Sequence, residues 1–179
     1  MNYAELFCQS HFSFLHGASS PEELVQQAAA LGYDALALTD ECSVAGIVRA
    51  YRQINDQALN IKLIVGSYFQ LDKLELVLLC PDKTAYAELC RIITNARRRS
   101  SKGEYCLTEW DLMSLKHCLL LWLPAGDSES DNYWANWLQK YHGDRLWLAI
   151  RRQLSHNEAT FTTYCQQLAQ QYQLKAVCC

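Results

Sequence analysis

The sequence has no Cys-x-x-Cys pair, no long apolar run, no basic excess, no internal repeat and no low-complexity segment. Each absence removes a class of protein. The nine cysteines lack metal-ligand spacing, which argues against a zinc ribbon or finger. Most of them lie in apolar runs (Cys8, Cys80, Cys118, Cys178), so they read as small buried hydrophobes in a reducing cytoplasm. The start, Met1-Asn2-Tyr3-Ala4-Glu5, has neither the charged opening nor the apolar stretch of a signal peptide. No segment approaches the length of a membrane span, so no membrane partner is expected. A net charge of −3 means that the domain as a whole is no electrostatic trap for nucleic acid.

What is there is an ordinary globular balance. Half of the 179 residues are hydrophobic and a fifth are charged, which suits one domain with a real core. The organising stretch is Ala35-Leu36-Ala37-Leu38-Thr39-Asp40-Glu41-Cys42-Ser43. Its four apolar residues have the length of a buried strand. Thr39, Asp40 and Glu41 then place a hydroxyl and two carboxylates at the strand's exposed C-terminal end. Ser43 is the expected cap of the next helix. In α/β sheets and barrels the C-terminal strand ends face the ligand crevice, so Asp40 and Glu41 stand where chemistry is placed.

Further along, strands are expected at residues 3–9, 61–69, 74–80, 117–123, 145–150 and 174–178. Helices are expected at 84–96, 131–141 and 158–172, after Thr108, and from the cap Ser20-Pro21-Glu22-Glu23 to Gly32. Strands alternating with helices predict an α/β fold with a parallel sheet, and seven strands suit a closed or nearly closed barrel. The chain stops inside or just after its last strand, which suggests a piece of something longer.

Several side chains carry two readings. Asp40 and Glu41 could hold one hard cation, or simply sit beside a helix start; the second reading is the simpler. His11 and His16 lie in the loop after strand one; they could contact metal, but solvated loop histidines are the simpler reading. His117, His142 and His156 stand at element boundaries and suggest nothing more. Arg97, Arg98, Arg99 and Lys102 read as a basic loop. They could meet a DNA backbone, or favour a helix C-terminus through its dipole. Trp134 and Trp137 share a helix face that could meet a partner, with packing in the core as the default.

Specific runs go further. Leu6-Phe7-Cys8-Gln9-Ser10-His11-Phe12-Ser13-Phe14-Leu15-His16-Gly17-Ala18-Ser19 and Leu36-Ala37-Leu38-Thr39-Asp40-Glu41-Cys42-Ser43 resemble the polymerase and histidinol phosphatase (PHP) domain. So do Ile61-Lys62-Leu63-Ile64-Val65-Gly66, Arg97-Arg98-Arg99 and Leu121-Trp122-Leu123-Pro124-Ala125-Gly126. The likeness is to the form at the N-terminus of bacterial C-family DNA polymerases, most of all their error-prone branch. It covers essentially the whole chain, residues 1–179.

The resemblance implies a distorted seven-stranded (β/α) barrel of PHP type, here cut off near the last strand. Active members bind several metal ions through histidines and carboxylates at strand ends. Carried over by position, the first His-x-His motif falls on Phe7 and Gln9, neither a good ligand. The Asp-His motif falls on Asp40 and Glu41. A glutamate after the strand-three glycine is replaced by Tyr68, and a histidine opening strand four by Glu75. A last Asp-x-His would lie beyond Cys179. A degenerate metal pocket is therefore expected, with no metal and no catalytic residue in this chain. The implied role is a structural and interaction module of a polymerase acting in translesion synthesis. Its partners would be the remaining polymerase domains, DNA through the parent, and other translesion proteins, with magnesium in the parent's palm. The rivals are a metal-dependent phosphoesterase, such as a proofreading nuclease or pyrophosphatase, and a free-standing binding protein.

Overall fold

A computed structural model describes residues 3–151 and 158–179; Met1, Asn2 and His156 lie outside them. Seven strands form one curled sheet in chain order: β1 (Ala4–Cys8), β2 (Ala35–Leu38), β3 (Lys62–Leu71), β4 (Leu74–Cys80), β5 (Leu119–Leu123), β6 (Leu146–Ile150) and β7 (Lys175–Cys178). Among the described residues, β1 and β7 pair only with β2 and β6, so the barrel is a curled, open one.

Six helices accompany the strands: α1 (Pro21–Ala30), α2 (Ile47–Asp56), α3 (Lys83–Arg98), α4 (Glu109–Met113), α5 (Ser128–His142) and α6 (Glu158–Gln171). The cap of α1 is as its sequence reads: Ser20 accepts from the Glu23 N–H, and Glu23 accepts from the Ser20 N–H. Helix α2 departs from expectation. It starts at Ile47 behind Gly46, with no side-chain cap. Ser43 is held elsewhere, its N–H donating to Ser67 Oγ at 3.0 Å, so its backbone follows β3 rather than the helix.

The wholly parallel sheet is also corrected. Strand β4 runs antiparallel to both β3 and β5. The reason is the length of the β3–β4 connection. Leu71 and Leu74 are separated by Asp72 and Lys73 alone, and a parallel crossover needs a dozen residues or more. Asp72 takes a positive φ of 51°, which aspartate tolerates in a tight turn.

Alternation along the strands sorts side chains onto two faces. Leu74, Leu76 and Leu78 enter the larger core, between the sheet and helices α3, α5 and α6, with Phe69, Leu89 and Trp122. Val77 and Leu79 point into the curl, with Tyr68, Leu121 and Ala149. Strand β4 is thus buried on both faces although it is antiparallel. A third cluster, with Val25, Leu36, Leu38 and Ala50, seats α1 and α2.

Trp134 is buried and Trp137 packs partly against the large core, so this pair does not form a free face. Trp110 is exposed. All nine cysteines are free thiols. Burial pushes Cys8 up to about 12 and Cys42 up to about 11. Cys178, expected inside, is exposed on the outermost strand. Among the described residues no helix is long and apolar enough to cross a membrane.

Candidate functional site: the carboxyl rim of the barrel

Strands β1, β2, β3 and β6 bring their C-terminal ends to one rim, and β4 brings its first residues there. Thr39 ties the first two together. Its Oγ1 accepts from the Cys8 N–H and donates to the Cys8 carbonyl, both at 3.0 Å. The pairing of β2 with β3 continues beyond Leu38, through Tyr68 N–H to the Asp40 carbonyl and Cys42 N–H to the Tyr68 carbonyl. Asp40 and Glu41 are therefore fixed by the sheet rather than carried on a loop.

Asp40 is not exposed as the sequence suggested; it is 1% accessible. The segment between β1 and α1 folds over it. Asp40 Oδ1 accepts from the Ser10 N–H at 2.7 Å and from Ser13 Oγ at 2.8 Å, and Oδ2 accepts from Ser10 Oγ at 2.8 Å. Gly17 closes this loop against the Ser10 carbonyl, so tightly that a Cβ would lie 2.0 Å from that oxygen. The carboxylate thus organises the loop.

Beside it lies a cavity of about 270 Å³ lined by Phe7, Gln9, His16, Glu41, Tyr68, Gln70, Glu75 and Arg151. The Phe7 and Tyr68 rings meet across its floor, with centroids 5.5 Å apart. Burial and the nearby Glu75 carboxylate push the Tyr68 phenol well above its ordinary range. Arg151 follows directly on β6. A terminal nitrogen of its guanidinium lies 3.4 Å from Glu75 Oε2, and its central carbon lies 5.7 Å from the Phe7 centroid.

The basic cluster is not a simple loop. Arg97 and Arg98 close helix α3. The Arg97 guanidinium donates to the carbonyls of Glu41, Cys42, Gly103 and Glu104, and stacks 5.4 Å from the Tyr105 centroid. Tyr105 Oη donates to Glu41 Oε1 at 2.8 Å, and burial with this contact raises its phenol. Arg99 holds Asp111 through both terminal guanidinium nitrogens. Of the four cations, Arg98 and Lys102 are exposed and, among the described residues, make no such hydrogen bond.

A profile of the PHP domain matches residues 5–163. The chain belongs to the PHP domain family. It is 60% identical to an error-prone DNA polymerase of Vibrio campbellii over 180 aligned positions, covering all of this chain and 18% of that protein. An error-prone DNA polymerase of Teredinibacter turnerae is 48% identical, with 99% of this chain and 17% of that protein covered. The chain thus spans less than a fifth of the length of these curated relatives. Among solved structures, a protein described as a metal-dependent phosphoesterase from Bifidobacterium adolescentis shares the fold, with a TM-score of 0.66 at 14% identity. That likeness covers 99% of this chain and 86% of the other.

The rim cavity does not present, among the described residues, the donor set of a metal cluster. Among the described residues, no three His, Cys, Asp or Glu side chains gather closely enough to hold an ion. Phe7 and Tyr68 put rings into the cavity, Gln9 offers an amide, and Asp40 is already saturated by serine and backbone donors. The structure does bring five of the six positions carried over, Phe7, Gln9, Glu41, Tyr68 and Glu75, to one cavity. Sequence reasoning passed over Gln70 and Arg151 and read His16 as solvated. His16 reaches the cavity because its loop folds back. Gln70 lies two residues beyond Tyr68, on the same face of β3. Arg151 was the most accessible to inference: a cation just past a buried strand points at the rim by the same rule that singled out Asp40.

Proposed function

We propose that this PHP domain is the N-terminal structural and interaction module of an error-prone DNA polymerase, with no phosphoesterase activity of its own. The observation that carries the reading is the cavity at the rim, where Phe7, Gln9 and Tyr68 stand at the family's ligand positions. The identity with error-prone polymerases over the whole chain supports the placement in such a polymerase. Phe14 and Leu15, 82% and 87% exposed on the loop around Asp40, support a docking role at the same rim.

In this reading the remaining polymerase domains are the direct partners. DNA is met through them, and nucleotidyl transfer with magnesium belongs to the palm of the longer protein. Translesion synthesis in the cytoplasm, with other translesion proteins, is the setting. Primer extension by the full-length protein, intact and lacking residues 1–179, tests the reading. Removal of the module is expected to lower both soluble yield and extension. Phosphomonoester hydrolysis by the 179-residue chain, supplied with zinc or manganese, is expected to stay at the level of the metal alone. Metal-dependent turnover that scales with the chain would restore the phosphoesterase reading.

A further inference from the structure

We infer that Arg151 is a built-in cation of the rim cavity, an organic charge standing in the space that the family's donor positions surround. The inference rests on the reading of the cavity as one that takes no metal.

Glu41 and Glu75 both line this small cavity, from just past β2 and from β4. Two carboxylates facing one partly dry space repel unless a cation lies between them. Arg151, just past β6, supplies a cation at Glu75. Its guanidinium pairs with Glu75 at 3.4 Å, and side-chain exposures of 35% and 24% shield the pair from full solvent screening. Phe7 offers the same cation a π-face at 5.7 Å. A phenylalanine is out of place beside a metal ion and suitable beneath a guanidinium, which is planar and weakly hydrated. Phe7 and Arg151 thus suit one another chemically. Arg151 also joins β6 to β4 at the open end of the curl, the mechanical role of an ion shared between strands.

The test is thermal unfolding of the 179-residue chain with and without zinc or manganese. Arg151→Met and Glu75→Gln are each expected to lower Tm by about 2–4 °C. The double variant should lose no more than the worse single, because the two act as a pair. Arg151→Lys should keep part of the stability, having charge without the planar fork. Arg151→Met leaves Glu75 without its cation, so either metal should raise its Tm while leaving the original chain unmoved. If Arg151→Met fails to fold, Glu75→Gln and Arg151→Lys still decide: additive losses in their combination would overturn the pairing. An Arg151→Met variant with unchanged Tm and no metal response, beside a metal-free original, would overturn this inference alone. Stoichiometric metal uptake by the original chain would instead overturn the reading of the cavity on which it rests.

Discussion

Asp40 and Ser13 form the shared joint of the rim. Ser13 Oγ donates to Asp40 Oδ1 at 2.8 Å and accepts from the Glu41 N–H at 2.9 Å. One serine hydroxyl therefore fixes both the buried carboxylate and the backbone of the carboxylate that faces the cavity. The loop from Ser10 to Gly17, the end of β2 and the cavity wall are therefore tied together.

Asp40→Ala is accordingly expected to act on folding. It leaves the Ser10 N–H, Ser10 Oγ and Ser13 Oγ without their acceptor in a buried place, a loss of about 3 kcal/mol. Urea unfolding checks it. A change below about 0.5 kcal/mol, the level of an unremarkable surface substitution, would show that the loop is held by something else.

The arginines should separate into two classes. Arg97→Ala removes four carbonyl contacts and is expected to cost about 2 kcal/mol. Arg98→Ala and Lys102→Ala should leave stability within about 0.5 kcal/mol. Binding of a short duplex, followed by fluorescence anisotropy, should be weak and salt-sensitive, and any salt slope should drop by about one unit with each of these two exposed charges. Binding that survives their loss but not that of Arg97 would place the contact on the wrong side of this division.

Stability should fall on mild acidification because of His142. Burial, with Arg145 nearby, pushes this imidazole down to about 4 from its ordinary value near 6.5. Asp144 and Glu88 pull the other way and do not prevail. The unfolded chain therefore binds the proton first. The His142 contribution is constant well above pH 6.5 and declines as pH falls from 6.5 toward 4, by about 3 kcal/mol. Glu88 begins to act only lower. Burial alone would raise it, but the N–H groups of Lys116, His117 and Cys118 hold it below the usual carboxylate range. Denaturant midpoints at pH 7 and 5 in the original and in His142→Gln should show the slope only in the original.

The elements themselves were legible because their causes are local. The Ser20-Pro21-Glu22-Glu23 cap, the apolar run at 35–38 and the alternation through β4 depend on neighbours a few residues away. The direction of β4 was legible too, in the two-residue gap after Leu71, but lay hidden while β3 was read as ending at Phe69. At the rim the side-chain types were legible: a phenyl ring, an amide and a phenol are poor ligands wherever the chain puts them.

The tertiary structure alone decided where charges lie. Nothing within a few residues of Asp40 says that Ser10 and Ser13, about thirty positions earlier, bury it. Nothing around Arg97 says that carbonyls from β2's end take its donors, or around Arg151 that Glu75 and Phe7 await it. Sequence sets the strand faces because side chains alternate with a period of two. The partners of a charge depend on which distant segments the curled sheet brings within a few ångströms, and a Coulomb or hydrogen-bond contact is decided at that range.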